Sequence, residues 1–121
     1  MEKVLIIDDD SLIRDLLADL ILSEYEQVHI EHAEDGVIAQ HKYKDQKYDL
    51  LILDHMMPNM DGSSFLSFLR KSEDLNKNTP IIMLTAFMPT ISAEDEVNNK
   101  TFYLKKPIDF EKMLRFIKMA K

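Results

Sequence analysis

The sequence predicts an α/β fold in which helices cover both faces of an open, doubly wound parallel sheet. Three features lead there. Short apolar runs alternate with segments whose apolar residues recur every three or four positions. The runs are almost continuously apolar, as strands buried on both faces are. Most of them stop at a charged or hydroxyl residue, at the strand ends where open parallel sheets gather their ligands. The helical segments between runs supply the right-handed crossovers that parallel strands require.

Lys3–Ile7 (KVLII) is the first apolar run, closed by Asp8, Asp9 and Asp10. From Ser11 the pattern turns helical, and Ile13, Leu16, Leu17, Leu20 and Ile21 form one stripe. Asp10 or Ser11 would cap it. Residues 28–30 are a weaker strand. Residues 36–44 form a modest helix with Val37, Ile38, Ala39 and Tyr43 as its apolar members. Residues 48–53 are a third strand, ended by Asp54 and followed by a loop rich in methionine and proline. A helix over 63–71 turns Phe65, Leu66 and Leu69 inward. Residues 80–84 (PIIML) are the fourth strand, ended by Thr85. Residues 101–104 are the fifth, followed by Lys105, Lys106 and Pro107. Phe110, Met113, Leu114, Ile117 and Ala120 mark a last amphipathic helix, with Phe116 and Met119 off its stripe and exposed. The soft part is 86–99, which holds Pro89, few apolar positions and Glu94-Asp95-Glu96. It is expected to be helical, with low local stability over 89–99.

A chain of 121 residues suits one domain, 1–121. The net charge of −7 and the lack of a basic run make nucleic acid and anionic membranes poor partners. There is no cysteine, so disulfides and thiolate zinc sites are excluded. No signal-peptide pattern or membrane-length apolar run appears, which fits a cytoplasmic domain.

The predicted topology gathers Asp8, Asp9, Asp10, Asp54, Thr85 and Lys106 along one edge of the sheet. Converging carboxylates repel one another, and desolvation adds to the cost. A divalent cation relieves this, and all-oxygen donors favour magnesium, manganese or calcium over zinc. A carboxylate beside such an ion, a lysine and a hydroxyl is a plausible phosphoryl acceptor. Phosphoryl transfer needs mainly positioning and charge neutralisation. Asp54 is then the nucleophile, with Lys106 and Thr85 each contacting a phosphoryl oxygen.

These residues, in this order on these elements, closely resemble the receiver domain of bacterial two-component response regulators, the single-domain chemotaxis type included. The markers are Asp8-Asp9, Asp54 within DHMMPNMDG, Thr85-Ala86 and Lys106-Pro107. The resemblance covers the whole chain and implies a flavodoxin-like five-stranded sheet of order 2-1-3-4-5. It implies Asp54 as phosphoacceptor, with Thr85 and Lys106 on the phosphoryl group. It also implies Mg2+ held by Asp9, Asp54 and the Met56 backbone carbonyl, with Asp8 acting through water. Thr85 and Tyr103 become a switch pair, and the Lys106–Pro107 peptide is expected to be cis. The phosphoryl group would come from a sensor histidine kinase or a histidine phosphotransfer protein, with an output partner the sequence does not name. The domain catalyses its own acceptance and slow loss of the group without being an enzyme in the turnover sense. One stretch departs from the pattern: Asn99-Lys100 stands where Gly-Ala is usual, and asparagine tolerates the left-handed turn.

Plainer roles exist for single residues. Asp8 to Asp10 suit a helix start, and Met56, Met57 and Met60 suit packing. His29, His32, His41 and His55 lack ligand spacing, and strand alternation points His55 away from Asp54. Lys112, Arg115 and Lys118 read as a solvated helix face. Among competing functions, a dehalogenase-type phosphatase needs a second aspartate where Met56 stands. A flavin carrier needs a phosphate-cradling loop where three aspartates stand. The remaining alternative is a receiver-like interaction module not regulated by phosphorylation.

Overall fold

Strands and helices alternate strictly along the computed structural model, which describes residues 1–120. The order is β1 (Lys3–Ile7), α1 (Ser11–Glu24), β2 (His29–Ala33), α2 (Gly36–Tyr43), β3 (Leu50–Asp54), α3 (Gly62–Lys71), β4 (Ile81–Thr85), α4 (Ala93–Asn99), β5 (Thr101–Lys105) and α5 (Phe110–Ala120). All strand pairs are parallel, in the order β2-β1-β3-β4-β5. β1 spans the expected Lys3–Ile7, and the boundaries of the other strands differ from the sequence expectation by at most three residues. The largest change is at β2, which runs past Ile30 to Ala33 because each of its residues pairs with β1.

Alternation along the strands divides the core in two. Val4, Ile6, Leu50, Ile52, Ile82 and Leu84 face α1 and α5, meeting Leu17, Ile21, Met113 and Ile117. Leu5, Ile7, Leu51, Leu53, Ile81 and Met83 face the other way, meeting Ala39 and Tyr43 of α2 and Phe65 and Leu69 of α3. Full burial of each such side chain contributes about 1.5–3 kcal/mol, so β1, β3 and β4 form the rigid centre. Several expected core residues lie outside it: Leu16, Val37 and Phe110 are exposed. Phe116, expected to be exposed, packs on Phe102 with ring centroids 5.3 Å apart.

The β4–α4–β5 side is built differently. Residues 86–92 are not helical, and α4 is confined to 93–99 with no buried residue. Polar contacts hold it. Ser92 caps its start by accepting from the Asp95 N–H at 3.1 Å, and Glu96 Oε2 accepts from the Tyr103 N–H at 2.8 Å. The turn into β5 is left-handed at Lys100 (φ 53°), one residue beyond the asparagine expected to take that strain. Arg70 of α3 braces this turn, its guanidinium donating to the Lys100 carbonyl at 3.1 Å and to Thr101 Oγ1 at 3.2 Å.

Candidate functional site

At the carboxyl end of β1 the chain leaves the sheet through Asp8, whose N–H donates to the Ala33 carbonyl at 3.1 Å. Asp8 Oδ1 accepts from the Asp10 N–H at 2.9 Å, and Asp10 Oδ1 caps α1 by accepting from the Leu12 N–H at 2.9 Å. The three aspartates thus divide the work. Asp10 starts the helix, while Asp8 and Asp9 remain at the strand end. Asp54, the last residue of β3, lies beside them on the neighbouring strand, and carboxylate oxygens of Asp8, Asp9 and Asp54 lie within 4.8 Å of one another. Asp8 and Asp54 are buried, and Asp9 is exposed.

Lys106, just past β5, donates from Nζ to Asp54 Oδ1 at 2.7 Å. The Lys106–Pro107 peptide is cis, as the resemblance implied. A single ammonium faces three carboxylates, and the imbalance appears in Asp8, whose carboxyl is pushed up to about 6. Burial is the main cause; Asp54 and Asp9 add to it, and the Asp10 N–H and Lys106 oppose it. A cleft of about 550 Å³ opens over these groups. Its rim is apolar, formed by Ile13, Leu16, Pro107, Ile108 and Phe110. The exposure of Leu16 and Phe110 follows, since they edge the cleft instead of filling the core. Met56 follows at the mouth of β3, with its N–H 3.3 Å from Asp54 Oδ1.

Compact hard-oxygen donors with excess negative charge fit a magnesium-sized cation. Asp8, Asp9 and Asp54 are the groups whose oxygens converge to where it would be held.

Thr85 is not part of this cleft. It has the parity of Ile81 and Met83, so its side chain lies on the α3 side of the sheet. Its hydroxyl is 3.1 Å from the Phe87 carbonyl and 3.3 Å from His55 Nδ1. Tyr103 is half-buried on the same side, and both residues line a small cavity of about 110 Å³ together with His55, Ser63 and Phe87. The expected switch pair is therefore together, while Thr85 and the Asp54 carboxylate are apart. His55 does point away from Asp54, as alternation predicts. What the sequence reading missed is that this direction leads straight to Thr85. The signal was present in the shared parity of positions 55 and 85 at the ends of adjacent strands.

A family model described as the response regulator receiver domain matches residues 4–118. Among curated proteins, the chain is similar to the DNA-binding dual master transcriptional regulator RpaA of Synechocystis sp., at 34% identity over 119 residues, covering 94% of this chain and 46% of that protein. It is also similar to the transcriptional regulatory protein ResD of Bacillus subtilis, at 43% identity over 84 residues, covering 69% of this chain and 32% of that protein. The chain thus spans less than half the length of these two relatives. Among solved structures, the chemotaxis response regulator CheY4 of Vibrio cholerae superposes with a TM-score of 0.81 at 29% identity, covering 100% of this chain and 99% of that one.

Proposed function

This chain belongs to the response regulator receiver family, and we propose that within it Asp54 accepts a phosphoryl group that switches the domain's partner-binding surface. The observation that carries the reading is the Lys106 ammonium seated 2.7 Å from Asp54 Oδ1 inside a cluster of three carboxylates. The donor is a phosphohistidine on a sensor histidine kinase or a histidine phosphotransfer protein. An Asp54 oxygen attacks phosphorus, the nitrogen–phosphorus bond breaks, and imidazole leaves as the acyl phosphate forms. Lys106 holds Asp54 in place and then pairs with a phosphoryl oxygen. Asp9, Asp54 and the Met56 carbonyl would hold Mg2+, with Asp8 acting through water. The bound ion supplies neutralisation of carboxylate and phosphoryl charge.

Phosphorylation places a doubly charged group beside β4. The Thr85 hydroxyl then turns from the α3 side toward it, Tyr103 moves into the vacated space, and the α4 surface changes with them. The domain accepts and slowly loses the group without turnover, in the cytoplasm, a compartment that suits a cysteine-free chain. Among the described residues no helix is long and apolar enough to cross a membrane. Incubation with Mg2+ and a small acyl phosphate, followed by intact mass, tests the reading. The parent should gain one phosphoryl group and Asp54→Asn none. No gain in the parent would favour an interaction module that phosphorylation does not regulate.

A further inference from the structure

Directly behind Asp54, on the opposite face of the sheet, lies a hydrogen-bonded chain of which the phosphoryl chemistry uses only the end. His55 Nδ1 is 3.3 Å from Thr85 Oγ1, and its Nε2 is 3.1 Å from Ser63 Oγ in the first turn of α3. The backbone of His55 is fixed on both sides. Its N–H donates to the Leu84 carbonyl at 2.9 Å, and its carbonyl accepts from the Gly62 N–H at 2.7 Å. The helix start can come this close only because position 62 has no side chain. A Cβ there would lie 2.6 Å from Met83 Sδ and 2.8 Å from His55 Cα. The imidazole is thus held by β4 on one side and by α3 on the other.

The proton count closes. Thr85 has one hydroxyl proton. If it goes to the Phe87 carbonyl at 3.1 Å, the imidazole donates from Nδ1 to Thr85 and accepts at Nε2 from Ser63. If Thr85 donates to Nδ1, the imidazole donates from Nε2 to Ser63. Either neutral tautomer completes the chain, so the contact needs no charged histidine.

We propose that His55 is a positioning residue that keeps the Thr85 hydroxyl on the α3 side of the sheet, away from the Asp54 carboxylate, and thereby limits how often the unmodified domain is ready to receive a phosphoryl group. The inference rests on the reading that Thr85 contacts that group. Readiness is a population: Thr85 must leave His55 before it can turn toward Asp54, and the more stable state sets how rarely it does. One hydrogen bond corresponds to a change of roughly three- to tenfold.

The test uses the full chain. Three-bond couplings of Thr85 report its rotamer in the metal-free, unmodified protein, and intact mass gives the rate of phosphoryl gain from a small acyl phosphate with Mg2+. His55→Leu should release Thr85 into a mixture of rotamers and speed acceptance by roughly three- to tenfold. His55→Asn puts an amide where Nδ1 stood and should restore both readouts. His55→Gln reaches toward Ser63 instead and should resemble His55→Leu. Ser63→Ala, on the exposed helix start, should give a smaller rise and serves if a His55 variant does not fold. Parent-like rotamer and rate in His55→Leu would overturn the proposal. So would equal behaviour of His55→Leu and His55→Asn, which would mark a packing effect. If the parent gains no phosphoryl group, the acceptor reading falls, and the rotamer measurement still decides whether His55 holds Thr85.

Discussion

Asp54 and Thr85 end neighbouring strands, yet the surroundings of the two residues are built on different terms. On the α1/α5 side, Asp54 shares a cleft with Asp8, Asp9 and Lys106. Each of those groups leaves a buried strand end or is tied down by an ion pair. On the α3/α4 side, Thr85 shares a small cavity with His55 and Tyr103. Beyond it lies α4, which buries no residue and is held by a cap, a Glu96 carboxylate and the Arg70 brace. The clustered charges thus sit on the packed side, and the proposed switch residues sit beside the element with the least packing to lose. His55 joins the two, since its backbone continues from Asp54 and its ring touches Thr85.

The largest test of this division is all-or-none. Asp54→Asn should abolish phosphoryl gain, whereas Thr85→Ala should still accept the group, more slowly than the parent, and lose the response across 93–99. Intact mass reads the first and amide exchange before and after phosphorylation reads the second. A full exchange response in Thr85→Ala would erase the distinction between the sides.

Gly62→Ala strikes the joint between them. The added Cβ meets His55 Cα at 2.8 Å, backbone that cannot swing aside. We expect a loss of about 1–3 kcal/mol in chemical denaturation from overpacking, with α3 pushed off and the His55–Ser63 contact lengthened. Unchanged stability would mean that the helix start is not seated on His55.

Asp8 gives a pH test of the packed side. Its carboxyl is raised from 3.8 to about 6 in the folded domain, so the folded state binds the proton more tightly than the unfolded chain does. Below the unfolded value the group is protonated in both states and costs nothing. As pH rises through the window between the two values, stability is lost, and above the upper value the loss is complete. Without metal, Asp8→Asn should therefore become more stable than the parent across that window, by on the order of 1–3 kcal/mol. Saturating Mg2+ should narrow the gap by binding the folded parent. Asp9→Ala should likewise stabilise the metal-free protein and remove the magnesium effect. A thermal-melt series with and without chelator reads all three, and parallel pH curves for the parent and Asp8→Asn would contradict the raised carboxyl.

The smallest effect belongs to α4. Val97 is half-exposed, and Val97→Ala should change stability by less than about 0.5 kcal/mol. Ile52→Ala in the fully buried β3 should cost about 2–5 kcal/mol. Amides of 93–99 should exchange far faster than those of β3. Equal protection would show that the polar contacts around α4 hold it as firmly as a core does.

The sequence alone determined the alternation of strands and helices, because continuous apolar runs and an apolar stripe of period 3.6 are local properties that most segments display by themselves. It also determined that Asp8, Asp9, Asp54 and Lys106 meet, because parallel strands bring their carboxyl ends to one edge whatever the loops do. The expected order β2-β1-β3-β4-β5 came from family resemblance, since local periodicity does not say which strand lies beside which. Tertiary structure decided what local pattern cannot encode. Leu16 and Phe110 fit an apolar stripe, but the cleft of charges beneath them left no core there to fill. Arg70 and Lys100 look like solvated charges until the chain brings the guanidinium to the carbonyls of a left-handed turn 30 residues away. Positions 55, 63 and 85 come from a strand end, a helix start and a second strand end. Their contact exists only because Gly62 lets two backbones approach closely enough for an imidazole to bridge two hydroxyls.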